Sequence, residues 1–298
     1  MNAPFSLIEM LGERVPHLHF VDIGAMYLGP DHIPYRDLLR PGKTTVVGFE
    51  PLRTECDKLN AAAEPGHKYL PYCIGDGTER NFYITNTGFT SSLYEPNTDL
   101  LRAFNNLAEL MRVQGIEKLR TVRLDDVAEI EDVHFLKLDV QGAELDVLRN
   151  APRVLKNTML VYSEVEYMEL YKGQPLFGEI HEYLRGQGFM LHFINGFGGR
   201  AYSPVAAGNI NMQVRQALWS DAVFVPDFRR FHEYAPERLL ALAVMLHELY
   251  VSVDLAAVAL NHYDRKVGTD LWTEYLRRLT GTVPAGKRPA LSGLDPLV

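Results

Sequence analysis

Three short apolar runs, each with an acidic residue at or near its end, constrain the fold of this chain more than any other feature. The runs are HLHFVDIGA, TTVVGFEP and VHFLKLDV, and their acidic residues are Asp22, Glu50 and Asp139. Apolar, β-rich runs without polar alternation are typical of strands buried on both faces, as in a parallel sheet. Parallel strands end at one edge of a sheet, so the sequence predicts that these three carboxylates gather there.

The segments around these runs predict the alternating strands and helices of a doubly wound sheet. Residues 27–40, between the first two runs, contain turn signals and a short helical pattern, which gives strand, helix and strand within about thirty residues. Further strands are predicted at 68–74, 81–85, 118–124, 158–165, 189–194 and 222–225, and helices at 5–14, 53–63, 99–112, 144–148 and 178–187. Residues 87–98 are rich in Gly, Ser, Thr, Asn and Pro and predict an ordered functional loop.

The chain becomes helical in character from about residue 227. Apolar residues recur at three- and four-residue spacing from Leu239 to Val253, and a second short helix is predicted at 270–279. We predict a Rossmann-like domain over residues 1–226 and a helical extension over 227–298, with a loosely ordered Pro/Gly-rich end from 281. The apolar face of the first helix either packs onto its own sheet or pairs with a second copy in a homodimer.

Composition excludes several classes of protein. A formal net charge of −8 and the absence of a dense Lys/Arg run argue against a nucleic-acid partner. The apolar stretch 239–260 contains charged residues that are costly in a membrane, so no membrane insertion is expected. Two cysteines without metal-site spacing, together with an N-terminus that lacks a signal-peptide pattern, predict a cytoplasmic location.

Glu50 and the first turn indicate a ligand that contains a ribose but no diphosphate. An ionised carboxylate only accepts hydrogen bonds, so Glu50 suits the two ribose hydroxyls of an adenosine. Gly24 lets the backbone approach that ligand closely. The turn GAMYLG lacks the G-x-G-x-x-G pattern that cradles a diphosphate. Two structural alternatives remain open: Asp22 as a turn former and Glu50 as a charge that complements a helix dipole.

At this point a resemblance becomes specific. The ordered series FVDIGA, VVGFEP, CIGDGTERNFYIT, TSSLYEP, TVRLDDV, FLKLDVQGAELDVLRNA and GEIHEYLRGQGF resembles the FkbM family of S-adenosylmethionine-dependent methyltransferases. The similarity runs from about Phe20 to Phe193, and FLKLDVQGAELDVL is its most distinctive part. The helical tail lies outside it.

The resemblance implies a class I methyltransferase fold: a mixed, mostly parallel α/β sheet with helices on both faces. It also implies an O-methyltransferase that uses S-adenosylmethionine on a hydroxyl of a sugar, a glycan precursor or a glycosylated metabolite. Carried over by position, it implies these cofactor-binding residues: Asp22, Gly24, Glu50, Asp76 near the adenine, Ser91 and Ser92 in the polar loop, and Asp139 and Gln141 in the signature after the fourth strand.

The chemistry requires that the acceptor hydroxyl lose its proton to a side chain or to a metal-assisted base. Asp139 is the first candidate for the base, with capping of the following helix as its structural alternative. A divalent cation such as Mg²⁺ is left open, with Asp139 and Glu164 as candidate ligands. Glu144 is expected to be a first-turn helix charge, and Glu164 and Glu166 are expected at a solvated strand edge.

Two competing functions stay open. A catalytically silent protein would use the same fold as a scaffold, which the intact Asp22, Glu50 and Asp139 argue against. A dinucleotide-dependent sugar oxidoreductase would need a glycine-rich first turn, which is missing. A group of tyrosines could stack on a sugar ring, although core packing is the commoner fate of aromatic residues. These are Tyr94, Tyr162, Tyr167 and Tyr171.

Overall fold

The computed structural model describes residues 4–29, 32–205 and 208–280. The predicted loosely ordered end, from residue 281, lies outside the described residues. The chain forms two compact units. The sheet unit comprises residues 19–28 and 45–226, and the helical unit comprises residues 1–18, 29–44 and 227–298. The domain division at 226/227 stays a prediction.

The strands and helices are numbered here in chain order. The strands are β1 Leu18–Ile23, β2 Thr44–Phe49, β3 His67–Leu70, β4 Glu79–Thr85, β5 Val113–Arg120, β6 Phe135–Leu138, β7 Leu160–Glu166, β8 Phe189–Gly198 and β9 Trp219–Pro226. The helices are α1 Leu7–Leu11, α2 Arg53–Ala61, α3 Thr98–Leu101, α4 Leu107–Leu110, α5 Glu144–Arg149, α6 Pro152–Asn157, α7 Phe177–Gly186, α8 Pro236–Tyr250, α9 Val253–Val267 and α10 Leu271–Thr280.

The main sheet has seven strands in the order β3-β2-β1-β6-β7-β9-β8. Pairs β2–β3, β1–β6 and β6–β7 are parallel, whereas β9 is antiparallel to both of its neighbours, β7 and β8. Strand order reverses beside β1, and this reversal is where doubly wound sheets open a ligand crevice. The predicted mixed, mostly parallel α/β fold is confirmed.

The sheet is held by an apolar core, as its strand sequences require. The four residues of β6 are all buried, and β1, β2 and β7 are buried over most of their length. Side chains from these strands join those of α5, α6 and α7 in one continuous cluster. A rigid core of this kind fixes the strand ends, and therefore fixes the backbone from which the site residues project.

Three predicted elements differ from the structure. The continuous helix expected at 99–112 is broken into α3 and α4, because Asn106 adopts a left-handed backbone with φ 62°. Residues 27–40 contain only a short 3-10 helix, Arg36–Leu38, among the described residues. The strand predicted at 118–124 lies earlier, at β5, where it pairs antiparallel with β4 in a separate two-stranded sheet.

The helical unit is built around α8. Residues 239–247 of this helix are all buried, so its predicted apolar face is already covered in the folded chain. His247 lies between the Tyr275 hydroxyl, at 2.8 Å, and the Phe5 carbonyl, at 2.7 Å. The Glu248 carboxylate accepts hydrogen bonds from Ser6 Oγ and the Ile8 amide. A homodimer through this face would have to unpack it, so the geometry does not favour that hypothesis.

Within the described residues, none of the helices combines the length and apolar character needed to cross a membrane.

Candidate active site

A cavity opens at the carboxyl edge of the sheet, where β1, β2 and β6 end. Its empty space, counting the open mouth, is about 680 Å³. The lining is mostly apolar, with two carboxylates, Glu50 and Asp139, and it includes no Lys or Arg among the described residues. The lining includes Gly24, Glu50, Phe89, Ser91, Asp139 and Gln141.

Gly24 lines the cavity, and the structure shows why this position requires glycine. Its φ of +80° is in the left-handed region, and a Cβ added there would overlap the backbone carbonyl of Asp139. The amides of Gly24 and Ala25 both donate to the Phe49 carbonyl, at 3.1 and 3.0 Å. The close approach of the ends of β1 and β6 therefore requires glycine at position 24, whether or not a ligand also approaches it as predicted.

Glu50 follows β2 and is 3% exposed. Its Oε1 accepts a hydrogen bond from the Leu52 amide at 2.8 Å, which fixes the side chain at the start of α2. Burial raises the pKa of the Glu50 carboxyl to about 7, against the lowering effect of that hydrogen bond. A buried carboxylate at a cavity wall gains from hydroxyl donors supplied by a ligand, and this agrees with the predicted position of a ribose.

Asp22 does not line the cavity. It is buried on β1, and its Oδ1 lies 3.0 Å from Lys137 Nζ on the neighbouring strand β6. Lys137 also donates to the Gly24 carbonyl at 2.7 Å and lies 3.6 Å from Asp139 Oδ2. Burial alone would lower the pKa of Lys137, but Asp22 and Asp139 outweigh it and raise that pKa. Asp22 thus anchors a buried lysine that ties β1 to the end of β6.

Gln141 lies in the cavity wall with a left-handed backbone, φ 57°. Its Nε2 donates to Asp139 Oδ1 at 2.9 Å and to Glu164 Oε2 at 2.5 Å. Its side-chain oxygen lies 2.8 Å from the Tyr171 hydroxyl, which also lies 2.9 Å from the Thr90 carbonyl. A non-glycine residue with positive φ costs on the order of 1 kcal/mol or more and persists where its surroundings fix it. The interactions of Gln141 supply that constraint.

The two loop serines have different positions. Ser91 lines the cavity, and its Oγ accepts the Thr85 amide at 3.1 Å. Ser92 is buried, and its Oγ donates to the Gln141 carbonyl at 2.6 Å. The polar loop therefore contributes one wall residue and one residue that supports the strained Gln141 backbone. That the loop borders the cavity agrees with its predicted functional role.

Asp76 is not part of the cavity wall. Its Oδ1 accepts hydrogen bonds from Thr78, at 2.9 Å to the amide and 2.6 Å to the hydroxyl, and from Thr121 at 3.1 Å. Burial would raise the pKa of Asp76, but these hydrogen bonds lower it overall. Its carboxylate is occupied in stabilising the turn before β4, so the predicted contact with an adenine has no geometric support.

Three glutamates lie behind Asp139. Glu144, at the start of α5, is fully buried, and its Oε1 accepts the Val140 amide at 2.8 Å. Burial raises the pKa of the Glu144 carboxyl to about 7 and raises those of Glu164 and Glu166 well above their usual range, with Asp139 adding to the effect. The expectation of a solvated edge was wrong for Glu166, which is 1% exposed.

The predicted metal ligands do not form a cation site. The Gln141 amide nitrogen, a hydrogen-bond donor, lies between the carboxylates of Asp139 and Glu164. No group of three or more His, Cys, Asp or Glu side chains among the described residues is arranged to hold a metal ion. Oxygen-ligated Mg²⁺ needs an octahedral set of acceptors, and a donor amide does not supply one.

Sequence reasoning missed Lys137, and it named Tyr171 only as a candidate for sugar stacking and missed its contact with Gln141. Lys137 is a charged residue inside an otherwise apolar run, FLKL, and that exception was the available signal. Tyr171 gave no comparable signal, because its contact with Gln141 joins positions 30 residues apart through a loop. Tyr171 is 1% exposed, so it belongs to the core and does not present a face for stacking on a sugar.

A doubly wound α/β sheet with a carboxylate-lined cavity at its strand-order reversal defines a nucleotide- or nucleoside-binding class of fold. Residues 22–191 match the family model described as the methyltransferase FkbM domain. This chain belongs to that family, and the predicted family resemblance is confirmed. The match ends before β9 and the helices that follow it.

A relative found by sequence is the 2-O-methyltransferase NoeI of Sinorhizobium fredii, strain NBRC 101917 / NGR234. It is 30% identical over 145 residues, which are 46% of this chain and 59% of the relative. The similarity thus spans less than two thirds of that protein.

Solved structures with a similar fold include LepI in complex with SAH and a substrate analogue, and the 16S rRNA methylase ArmA. The first is 14% identical with a TM-score of 0.33 and covers 75% of this chain and 47% of its own. The second is 8% identical with a TM-score of 0.32 and covers 74% of this chain and 80% of its own. Similarity at this level adds nothing to the assignment.

Proposed function

We propose that this protein is an S-adenosylmethionine-dependent O-methyltransferase that acts on a hydroxyl of a sugar, a glycan precursor or a glycosylated metabolite. Membership of the FkbM family supports methyl transfer. The observation that carries the proposal is that Glu50 and Asp139 line the same cavity. Glu50 is a buried carboxylate suited to hydrogen bonds from ribose hydroxyls, and Asp139 is a carboxylate suited to the hydroxyl that receives the methyl group. The 2-O-methyltransferase relative supports a hydroxyl acceptor.

The lining chemistry fits this cofactor better than a dinucleotide. A diphosphate would require cationic side chains or a glycine-rich cradle. The described lining has neither Lys nor Arg, and its two carboxylates suit a cationic sulfonium and neutral hydroxyls. Glu50 would hold the ribose, and Gly24, Phe89 and Ser91 would form the surrounding wall. When bound, S-adenosylmethionine supplies an electrophilic methyl group.

Asp139 is the residue we assign to proton acceptance from the acceptor hydroxyl. Its side chain is 39% exposed and faces the cavity, whereas Glu164 lies behind Gln141 and outside the lining. Gln141 and Lys137 hold the two carboxylate oxygens of Asp139 in a fixed orientation. Positioning contributes strongly to transfer reactions of this kind, since the acceptor oxygen must be aligned with the methyl group. The metal-assisted alternative has no ligand set among the described residues to support it.

Methyl transfer from S-adenosylmethionine to a panel of sugar nucleotides and free glycosides would test the proposal, with S-adenosylhomocysteine formation as the readout. We expect acceptor-dependent product with at least one sugar hydroxyl acceptor and none with NAD in place of the methyl donor. Binding of the methyl donor without turnover on any acceptor would favour the catalytically silent alternative. Hydride transfer with NAD would favour the oxidoreductase.

A further inference from the structure

A second polar feature lies at the carboxyl edge of the sheet, in the connection between β8 and β9. The Arg200 guanidinium lies over the Trp219 indole, 5.4 Å from the ring centroid. Its Nη1 donates to the Gly199 carbonyl at 2.9 Å, and its Nε has no hydrogen-bond partner among the described residues. No carboxylate among those residues forms an ion pair with Arg200. A half-buried arginine without a counter-ion is unusual, since burial is costly for an unpaired charge.

The surroundings of Arg200 point to a missing anionic partner. Burial lowers the pKa of Arg200, and no neighbouring charge of the described residues offsets this. The Gln213 side-chain oxygen, near Gly199, is also buried without a partner, and as an acceptor it would take a hydrogen bond from a sugar hydroxyl and not from the anion. The indole holds the planar guanidinium by cation–π contact, and Nη2, which has no hydrogen-bond partner among the described residues, can donate to an anion.

The strand register places this feature beside the candidate active site. Trp219 pairs with Glu166 of β7, and Glu164 pairs with Asp221, two residues further along β9. Strands lie roughly 4.8 Å apart and rise roughly 3.3 Å per residue, so Trp219 lies about 12 Å from the end of β6, where Asp139 is located. A disaccharide, or a sugar with a charged substituent, can bridge that span.

We propose that Arg200, held on Trp219, binds a carboxylate or phosphate group of the methyl acceptor, so that the acceptor is an acidic sugar. The part of the inference that concerns the methyl acceptor rests on the proposed function. The binding of an anion by Arg200 does not depend on methyl transfer. It narrows the substrate class from sugar hydroxyls in general to sugars with a negative charge one ring or one linkage from the methylated hydroxyl.

The test uses NMR of the full chain, with the indole N–H signals as the readout. The chain has two tryptophans, and Trp272→Phe assigns the signal of Trp219. Glucuronic acid, glucose 1-phosphate and methyl glucoside are titrated as carboxylate, phosphate and neutral probes. We expect at least one anionic sugar to shift the Trp219 signal and to bind about fivefold or more tighter than methyl glucoside.

Variants at Arg200 identify the residue responsible. Arg200→Gln should weaken the anionic sugar about tenfold or more and leave methyl glucoside unchanged within about twofold, since a hydrogen bond to a charged group is lost. Arg200→Lys, which keeps the charge, should retain part of the preference. Arg215→Gln, which removes an exposed arginine of the same loop, is the matched control and should bind like the wild type.

Equal binding of all three sugars, or full anion affinity in Arg200→Gln, would overturn the inference. The unfolding temperature of each variant separates loss of the site from loss of the fold, and a preserved preference in Arg200→Lys supports the site even if Arg200→Gln is unstable. Binding of S-adenosylmethionine is measured separately. Its absence together with an Arg200-dependent anion preference would reject the proposed function and leave the anion site standing.

Discussion

At the scale of single residues, the raised pKa of Glu50 makes cofactor binding at the site depend on pH. Its pKa is raised to about 7 by burial, so it is protonated below that pH and ionised above it. Only the ionised form can accept from both ribose hydroxyls. We therefore expect the affinity for S-adenosylmethionine to increase as pH rises from 6 to 8, measured by calorimetric titration.

The matched variant for this prediction is Glu50→Gln. It cannot ionise, so it should bind the cofactor about tenfold or more weakly at pH 8, and its affinity should not change across the same range. Wild-type affinity that falls or stays constant between pH 6 and 8 would contradict the assigned role of Glu50.

Asp139→Asn tests the proposed proton acceptor. The amide keeps the shape and the hydrogen-bond acceptor for Gln141 but cannot take a proton, so we expect kcat to fall about a hundredfold or more. The dissociation constant of S-adenosylmethionine should change by less than about fivefold. Glu131→Gln, at an exposed position, serves as the control. Full activity in Asp139→Asn would exclude it as the base.

The predicted site residues that line the cavity mostly follow a strand end. Of the predicted positions, Gly24, Glu50, Ser91, Asp139 and Gln141 do line one cavity. The sequence alone does not distinguish the residues that line the cavity from Asp22 and Asp76, because the positions of these two side chains depend on partners elsewhere in the chain. Asp22 is held by Lys137, on another strand, and Asp76 by Thr78 and by Thr121, which is 45 residues away in the chain.

At the scale of elements, the close approach of the ends of β1 and β6 is set by Gly24. Gly24→Ala would place a Cβ against the Asp139 carbonyl in a left-handed backbone, so the strand ends must separate. We expect a loss of roughly 3 kcal/mol or more in the free energy of unfolding, measured with urea. The matched control is Gly173→Ala, which has φ +71° and open space around the added Cβ.

Gly173→Ala should lose only about 1 kcal/mol, the usual cost of a left-handed alanine. The difference between the two variants isolates the steric contact from the backbone conformation. Equal losses would show that the approach of the two strand ends is not tightly constrained at this point.

Element prediction was accurate for the strands of the main sheet and less so for β5 and for the helices between the strands. Apolar runs in the sequence predict buried strands such as β6 and β7. The helix expected at 99–112 has a suitable apolar period, but Asn106 adopts a left-handed conformation there and the segment folds into two short turns. The spacing of apolar residues shows which face of a helix is apolar. It does not show where the tertiary contacts of a single residue break that helix.

At the scale of the whole molecule, the buried carboxylates predict how stability varies with pH. Glu50 and Glu144 have a pKa of about 7 in the folded protein, against an ordinary value of 4.5. Between these values the native state holds protons that the unfolded chain has released, so the stability that these two groups contribute falls as pH rises and levels off above about 7. Glu50 contributes on the order of 3 kcal/mol to this loss.

Urea unfolding at pH 5.5, 7 and 8.5 would measure the effect. Glu144→Gln keeps the acceptor for the Val140 amide and removes the titration, so its stability should depend less on pH than that of the wild type. Glu131→Gln should preserve the wild-type dependence. A wild-type stability that increases from pH 5.5 to 8.5 would contradict the burial of these acids in an apolar environment.

The central claim is that the cavity at the strand-order reversal binds an adenosine without a diphosphate. Calorimetric titration of the full chain at pH 8 with S-adenosylmethionine and, separately, with NAD tests it most directly. We expect saturable binding of S-adenosylmethionine, weakened about tenfold or more by Glu50→Ala, and no measurable binding of NAD. Binding of NAD, or S-adenosylmethionine affinity that is unchanged in Glu50→Ala, would contradict the account.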